Sequence, residues 1–512
     1  MKKNIYITTP IYYVNDKPHV GHAYTSIACD SLARFNRMLG YKVFFLTGTD
    51  EHGLKIQKSA EDKQVDTQIF VDSVSKNFSD LTDLLMLTND DFIRTTSRRH
   101  KDGARSFWKK LLENNQIYLD KYAGWYSIRD EAYYQEEELV DGKAPTGSDV
   151  EWVEEPSFFF KLSHWQEPLL EFYKKNPDFV QPKSRFNEVV SFVESGLKDL
   201  SISRTSFSWG IEVPEEDKHV MYVWLDALTN YLTAIDYPNT SSELFSKFWP
   251  ANFHVVGKDI LRFHGVFWPA FLMAAELPLP SKIIAHGWWT VEKEKMSKSL
   301  GNVVDPKDVI DEFGLDSFRY FLLREVPFGN DGDFSKDSLI SRINSDLANN
   351  FGNLVNRVVS MNQKNFNGII PKYSKSLKID DELREKIYKL VDEYKLFFES
   401  ALFSKALSAV IELVSSVNKY IDTEEPWTLA KNNEIDRLST VLRLSFESIR
   451  IIAFMFYPVM PNSSCKILES LSLKLEGDDI LFSTLKNTEF LDDDSKISKI
   501  DLLFPKIDKK LS

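Results

Sequence analysis

The chain has 512 residues, of which 43% are hydrophobic and 13% aromatic. This length exceeds what one hydrophobic core usually supports, and the composition excludes a disordered chain, so several folded domains are expected. The formal net charge of −13 excludes a uniformly basic surface. A locally positive face could still bind RNA, and the acidic remainder would limit non-specific association.

The two cysteines, Cys29 and Cys465, lie far apart in the sequence. They can build neither a disulfide framework nor a cysteine zinc knuckle, so we predict no metal site and no structural zinc. The amino terminus runs directly into a strand-like segment, and the longest apolar stretches are too short to span a bilayer. We therefore expect a cytoplasmic protein with no membrane partner.

The first motif is His19-Val20-Gly21-His22, which follows a strand-like run over residues 4–8. Apolar residues then recur at helical spacing, and Gly40 is a suitable helix end. Glycine allows a nucleotide to approach the backbone, and a helix N-terminus favours negative charge. We predict that His19, Gly21 and His22 bind ATP and that both histidines are catalytic. Taken alone, the two histidines could instead be a structural or metal-binding pair.

Three further segments have the character of buried strands that end in polar residues. Residues 43–46 lead to Asp50, and the pattern returns at residues 253–259 and 283–287. Open parallel sheets bind ligands at the carboxyl ends of their strands. We therefore predict a Rossmann-type parallel sheet that is split between residues 1–115 and 219–290.

Residues 116–218, between these halves, are rich in aromatic and acidic side chains. Short strands are predicted around residues 122–126 and 152–160. We interpret this region as a connective insertion that packs as a cap and helps to position an RNA end.

The second motif is Lys295-Met296-Ser297-Lys298-Ser299, in a linking region over residues 291–340. Two lysines three residues apart suit a mobile loop that folds over a triphosphate and stabilises charge as pyrophosphate leaves. We predict that Lys295, Ser297 and Lys298 bind ATP and that both lysines are catalytic. An ordinary solvated turn is the alternative for this segment by itself.

Apolar residues recur at helical intervals in several segments of residues 341–512. The clearest segments are residues 341–360, 382–399, 405–420 and 437–456. This pattern predicts a helix bundle.

The histidine and lysine motifs, in this order and at this distance, resemble the HIGH and KMSKS signatures of class I aminoacyl-tRNA synthetases. Cytidylyltransferase-like enzymes share the histidine motif, but they are usually shorter and have no large helical region. Residues 8–15, 223–231 and 285–289 further resemble the methionyl-tRNA synthetase family, and the resemblance extends over essentially the whole chain. It implies an α/β Rossmann-type parallel-sheet catalytic domain with an inserted connective domain, followed by an α-helical bundle anticodon-binding domain.

The family's activity would be the ATP-dependent ligation of L-methionine to tRNA(Met) through methionyl-adenylate, with release of AMP and pyrophosphate, for translation initiation and elongation. ATP would enter with Mg²⁺. Gly257 and Asp259 would meet the ribose of ATP, and Asp50 the ammonium of methionine. An aromatic and aliphatic slot suits a thioether, and the methionine site would comprise Pro10, Ile11, Tyr13, Asp50, Trp224, Ala227, Leu228, Tyr231 and His286.

The resemblance also implies an anticodon site in the helical domain. Asn353 and Arg357 would share a helix face, and Pro426 and Trp427 would lie in a turn where the indole could stack on a base.

Two alternatives remain open from the sequence. One is a catalytically inactive relative that binds tRNA, and the other is the same chemistry with a different amino acid. The chain also departs from many family members, because it has no cysteine in the insertion and no added tRNA-binding and dimerising module. A monomer is therefore expected.

Overall fold

The computed structural model describes residues 3–130, 132–134, 136–291, 294–295, 303–473 and 481–508. The chain divides into two compact units. The first comprises residues 4–29 and 43–286, and the second comprises residues 30–42 and 287–512 together with the amino-terminal residues up to Lys3. Among the described residues, no helix has the length and apolar character needed to cross a membrane.

The strands, in chain order, are β1 Asn4–Thr8, β2 Tyr12–Tyr13, β3 Lys42–Asp50, β4 Asp91–Arg94, β5 Ile117–Ser127, β6 Ala132–Tyr134, β7 Glu151–Phe160, β8 Val180–Gln181, β9 Leu200–Ser201, β10 Ser203–Arg204, β11 Glu212–Val213, β12 Glu216–Met221, β13 Phe253–Gly257, β14 Ile283–His286, β15 Trp289–Val291, β16 Glu294–Lys295 and β17 Gly332–Phe334.

The α-helices are α1 Val20–Met38, α2 Leu54–Asp62, α3 Thr67–Leu84, α4 Arg98–Glu113, α5 Gln166–Lys175, α6 Lys183–Glu194, α7 Val223–Thr233, α8 Glu243–Phe248, α9 Trp268–Ala274, α10 Pro306–Phe313, α11 Leu315–Arg324, α12 Lys336–Arg342, α13 Asn353–Phe366, α14 Lys378–Glu399, α15 Phe403–Glu424, α16 Pro426–Lys431, α17 Ile435–Phe456 and α18 Pro461–Ser470. Residues Phe263–Phe267 and Ile343–Gly352 are π-helical.

The first unit is built around a seven-stranded sheet with the order β2-β3-β1-β13-β14-β8, in which β4 also pairs with β3. The pairings of β1 with β13, β13 with β14, and β3 with β2 and β4 are parallel. Strands such as β1 and β14 are almost wholly buried, as expected for a parallel sheet covered on both faces. The predicted parallel-sheet α/β fold is therefore confirmed. Four of its strands end at Thr8, Asp50, Gly257 and His286, and the last three of these residues are among the predicted site residues.

The region predicted as an insertion contains an antiparallel sheet with the order β6-β5-β7-β9. Strands β5 and β7 have 11 and 10 residues, so they are longer than the short strands predicted. Strand β8 lies in the same sequence region but pairs in parallel with β14 of the main sheet, a strand that the sequence analysis did not predict.

The second unit is mainly helical, as predicted. Arg437 of α17 donates to both carboxylate oxygens of Asp380 in α14, at 2.6 and 2.7 Å. Tyr420 of α15 donates to the same carboxylate at 2.6 Å, so one buried group joins three helices. The predicted turn at Pro426 and Trp427 is wrong, because Pro426 starts helix α16. Glu425 reverses the chain in the left-handed region at φ 44°, and proline suits the first helical position because it needs no N–H partner there.

Candidate active site

The histidine motif forms the first turn of α1, directly after the loop that follows β2. The His19 backbone N–H donates to Nδ1 of His22 at 3.0 Å, and the Gly21 N–H donates to Nδ1 of His19 at 3.0 Å. A backbone N–H can only donate, so both Nδ1 atoms are unprotonated acceptors. The proton of each neutral imidazole therefore lies on Nε2. Burial, and then the neighbouring His19, hold the pKa of His22 well below its usual value, so this ring is neutral at physiological pH.

At two glycines in the predicted ATP-binding segments, a neighbouring side chain lies against the backbone. A Cβ at Gly21 would lie 2.8 Å from Cε1 of His19, so any side chain there would push the ring aside. A Cβ at Gly257 would lie 2.5 Å from Oδ1 of Asp259. Gly257 ends β13 and Asp259 follows in an exposed helical turn. Both predicted ribose-binding residues thus lie at the carboxyl edge of the sheet.

The predicted lysine loop can be placed only in part. Lys295 lies in β16, which pairs with β15, and Ser297 and Lys298 lie outside the described residues. Their assignments therefore stay predictions.

Helix α7 supplies several of the predicted methionine-binding residues. Ala227, Leu228 and Tyr231 are almost wholly buried, with exposed fractions of 5%, 1% and 1%. The Tyr231 hydroxyl lies 2.7 Å from Nε2 of His264, while Nδ1 of that ring lies 3.0 Å from the Ile260 carbonyl oxygen. A carbonyl oxygen only accepts, so Nδ1 carries the proton and Nε2 accepts from Tyr231. Burial lowers the pKa of His264 to about 4, which keeps the ring neutral.

The aromatic wall of this region is formed by Trp224, whose ring stacks on Phe263 with centroids 3.7 Å apart and an interplanar angle of 6°. Tyr13 is paired in register with Asp50 between β2 and β3. Pro10, Ile11 and Tyr13 are all half-buried, and Asp50 is buried at the end of β3. The ammonium-binding candidate therefore lies next to one aromatic candidate along the same sheet edge.

His286 is placed beside the nucleotide motif. Its Nε2 lies 2.7 Å from Oγ1 of Thr25, and its ring packs edge-on against Tyr24 at 5.1 Å. Both partners belong to α1, one turn after His22. The assignment of His286 to the methionine pocket stays a prediction.

The sequence analysis missed a buried cluster made by His52, His100 and Asp226. Nδ1 of His52 lies 2.6 Å from Oδ2 of Asp226, and Nε2 of His100 lies 2.7 Å from Oδ1. Burial alone would raise the pKa of Asp226, but the charge of His52 and hydrogen bonds from both histidines outweigh it and lower the pKa to about 2. Asp226 is therefore ionised, and both rings donate to it. His264 was missed as a pocket residue too, although histidines cluster in the two halves of the sheet.

The predicted anticodon residues lie in the second unit. Asn353 is exposed at the start of α13, and Arg357 lies one turn later, with its guanidinium 5.7 Å from the centre of the Trp427 ring. Arg357 also donates to Asp422 at 2.6 Å. Pro426 is buried, whereas Trp427 is 49% exposed, so its indole is not a core side chain. The structure brings Arg357 and Trp427 together, but their contact with RNA stays a prediction.

The described parts of the chain contain no clustered metal ligands. No group of three or more histidine, cysteine, aspartate or glutamate side chains there could hold a metal ion. The expected absence of zinc stays a prediction.

Comparisons with known proteins cover nearly the whole chain. A family model described as tRNA synthetases class I (M) matches residues 5–151 and 138–359. A second, described as the anticodon binding domain of methionyl tRNA ligase, matches residues 370–511. A methionine–tRNA ligase of Rickettsia felis is 52% identical, with 99% of each chain covered. One from Rickettsia prowazekii is 53% identical, with 99% of this chain and 100% of that one covered.

Solved structures agree with the sequence comparisons. The Mycobacterium tuberculosis methionyl-tRNA synthetase in complex with methionyl-adenylate matches with a TM-score of 0.95 and 45% identity, covering 98% of this chain and 100% of that one. The apo form of the Mycobacterium tuberculosis protein matches with a TM-score of 0.88 and 42% identity, covering 99% of each chain. The resemblance drawn from the motifs is thereby confirmed. This chain belongs to the methionyl-tRNA synthetase family of class I aminoacyl-tRNA synthetases.

Proposed function

We propose that this chain is an ATP-dependent enzyme that ligates L-methionine to tRNA(Met) for translation. In the first step a carboxylate oxygen of methionine attacks the α-phosphorus of ATP, and pyrophosphate leaves. In the second step a hydroxyl of the terminal ribose of tRNA attacks the carbonyl carbon of methionyl-adenylate, and AMP leaves. What supports the proposal is that one unit of the chain holds two Nε2–H imidazoles at the start of α1, Asp50 in register with Tyr13, and Trp224 stacked on Phe263.

The histidine motif would bind the phosphates as a pair of neutral donors. Because Nδ1 of each ring accepts a backbone N–H, the proton of each ring lies on Nε2, which would donate to oxygens that gain charge in the transition state. Because Gly21 has no side chain, the ring of His19 can keep its position. Gly257 and Asp259 would hold the ribose. On sequence grounds, Lys295, Ser297 and Lys298 would bind the same triphosphate, and the lysines would stabilise the departing pyrophosphate.

The methionine site would combine one charged anchor with an apolar slot. Asp50 would hold the ammonium, and the remaining eight residues would surround the side chain: Pro10, Ile11, Tyr13, Trp224, Ala227, Leu228, Tyr231 and His286. Neither step requires a covalent bond to the enzyme, so catalysis depends on positioning and on charge stabilisation.

Asn353, Arg357, Pro426 and Trp427 would read the anticodon. A half-exposed indole beside a guanidinium suits an unpaired base, because stacking and hydrogen bonding can then act together.

Several further properties belong to the same proposal. ATP enters as its Mg²⁺ complex, the chain holds no structural zinc, and it works as a monomer in the cytoplasm. We propose the domain limits 1–115 and 219–290 for the catalytic halves, 116–218 for the insertion, 291–340 for the linking region and 341–512 for the anticodon-binding domain.

Amino-acid-dependent exchange of labelled pyrophosphate into ATP tests the first step directly. We expect methionine alone, among the twenty standard amino acids, to support rapid exchange, and we expect purified tRNA(Met) to accept labelled methionine. A lack of exchange with every amino acid would favour an inactive tRNA-binding relative. Exchange with a different amino acid would overturn the assignment of the pocket.

A further inference from the structure

Asp226 connects two parts of the amino-acid site that lie far apart in sequence. Its carboxylate accepts from His52, 174 residues earlier, and from His100, 126 residues earlier. The side chains of Asp226 and His100 have no exposed surface, and that of His52 is 3% exposed. Hydrogen bonds to a buried charge are among the stronger interactions in proteins, and they fix the geometry of their donors.

Each partner of this carboxylate belongs to an element with a defined place in the proposed site. His52 lies two residues after Asp50, the predicted ammonium anchor at the end of β3. Asp226 lies within α7, between Trp224 and the buried pair Ala227 and Leu228. The distance between the ammonium anchor and the side-chain pocket is therefore set in part through one hydrogen bond.

His100 binds the other oxygen of the Asp226 carboxylate. It belongs to α4, and its Nδ1 lies 2.9 Å from Oγ1 of Thr233, at the end of α7. Helices α4 and α7 approach so closely that a Cβ at Gly103 would lie 2.3 Å from a methyl carbon of Thr233. His100 thus contacts both Asp226 and Thr233, more than one helical turn apart on α7.

The segment after β3 is anchored by a further aromatic contact. The indole N–H of Trp209 donates to the Glu51 carbonyl oxygen at 2.6 Å, and the Gly53 N–H donates to the Trp209 carbonyl oxygen at 3.0 Å. These bonds hold the backbone on either side of His52, so its ring has little freedom other than to meet Asp226.

We propose that Asp226 is a positioning residue for methionine, which keeps the ammonium anchor Asp50 at a fixed distance from the side-chain pocket on α7. The inference rests on the proposed function and deepens it, because it assigns the recognition of the amino acid to a group that need not touch it. Loss of the bond to His100 would allow α7 to shift and would weaken methionine binding, with little effect on ATP binding.

The test compares two substitutions of His100 that differ in where they place an amide. Glutamine puts an N–H donor near the position of Nε2, which faces Asp226, whereas asparagine puts it near the position of Nδ1, which faces Thr233. Methionine-dependent pyrophosphate exchange is measured for both variants, together with the KM for methionine, the KM for ATP, kcat and the melting temperature. Asp226→Asn is measured beside them.

We expect His100→Gln to keep a methionine KM close to that of the parent protein. For His100→Asn and Asp226→Asn we expect the KM for methionine to rise by about tenfold or more, as the loss of one hydrogen bond to a charged group implies. The KM for ATP should change by less than about twofold. Equal methionine KM values for the two His100 variants, or a fall in melting temperature with every KM unchanged, would overturn the proposal.

If His100→Asn does not fold, the variant Thr233→Val tests the same contact. Thr233→Val removes the hydroxyl that orients His100 but keeps the shape of the side chain, and we expect it to raise the methionine KM without changing the ATP KM. An unchanged methionine KM in that variant would count against the proposal. Failure of the proposed function itself would be distinct, because the unaltered protein would then show no methionine-dependent exchange.

Discussion

The backbone specifies the chemistry of single histidine side chains in this protein. In the motif at the start of α1, two backbone N–H groups occupy the Nδ1 atoms and leave Nε2–H donors on both rings. At His264 the Ile260 carbonyl oxygen has the opposite effect, because it requires a proton on Nδ1 and makes Nε2 an acceptor. Neutral imidazoles therefore serve as donors in one place and as an acceptor in another.

This assignment predicts a difference between two variants of His22. Glutamine can place an amide N–H near the position of Nε2, whereas asparagine reaches only the position of Nδ1. We expect His22→Asn to lower kcat for pyrophosphate exchange by roughly a hundredfold, the usual effect of losing a transition-state donor, and His22→Gln to lose clearly less. Equal losses in both variants would contradict the role assigned to Nε2–H.

Lys298 is expected to act on the same developing charge. Lys298→Ala should lower the rate of exchange by about a hundredfold and leave the affinity for methionine nearly unchanged, because the lysine would act as pyrophosphate departs. Stopped-flow measurement of adenylate formation and equilibrium binding of methionine check the two parts separately. Exchange at the parent rate would rule this role out.

His264 should make stability depend on pH. Its pKa is about 4 in the folded chain and near 6.5 in an unfolded one, so the unfolded chain binds a proton that the folded chain excludes. The contribution of neutral His264 to the free energy of unfolding is therefore fully present well above pH 6.5. It is lost as the pH drops toward 4. At pH 5.5 the loss of stability amounts to about 1 kcal/mol.

Thermal unfolding of the parent protein and of His264→Gln at pH 7.5 and 5.5 measures this contribution. We expect the parent protein to lose more of its stability between these pH values than the variant does. A difference in melting temperature that is the same at both pH values would contradict a neutral His264.

Local sequence patterns predicted those helices and strands whose formation depends on local geometry. Helix α1 was predictable because its apolar residues recur at helical spacing and Gly40, at φ 76°, suits the end of a helix. Strand β8 has two residues, too few for any periodicity, and its pairing with β14 is a tertiary contact. Helix α16 was missed because a proline after a turn also fits the first position of a helix.

The same distinction applies to the candidate site. The histidine and lysine motifs are short and contiguous, so their residue types and spacing were enough to indicate the family, which the comparisons confirm. The His52, Asp226 and His100 cluster joins three separate elements, and no local pattern marks any of its members. Trp427 was expected in a turn, but it lies in helix α16, where its side chain is 49% exposed.

The exposed Trp427 of helix α16 is expected to contribute to tRNA charging. Trp427→Ala should lower kcat/KM for tRNA by roughly ten- to a hundredfold, because stacking on an aromatic side chain contributes about 1 to 3 kcal/mol per base. Methionine-dependent pyrophosphate exchange should not change. Leu396→Ala is a suitable control, since Leu396 is 61% exposed on α14 and has no proposed role. Equal loss in charging and exchange, together with a lower melting temperature, would show that Trp427 is structural.

For the whole molecule, the cysteine content bears on metal dependence. Cys29 is buried and Cys465 half-buried, and both are free thiols. We expect the purified protein to contain no stoichiometric zinc and to keep its exchange activity after chelation once magnesium is supplied again. Elemental analysis that found one zinc per chain would contradict this.

The left-handed residue before α16 has a consequence for the thermodynamics of RNA recognition. A non-glycine residue at φ 44° is held there by the fold, and Pro426 follows with a restricted φ, so the entry of Trp427 into its helix is fixed by two rigid residues. This segment loses its conformational entropy during folding, so binding of tRNA at Trp427 would order mainly the RNA. Glu425→Gly would restore conformational freedom to the backbone before Trp427. We therefore expect this variant to bind tRNA more weakly, with a more unfavourable binding entropy. The loss would occur although Trp427 could still make every contact to the base.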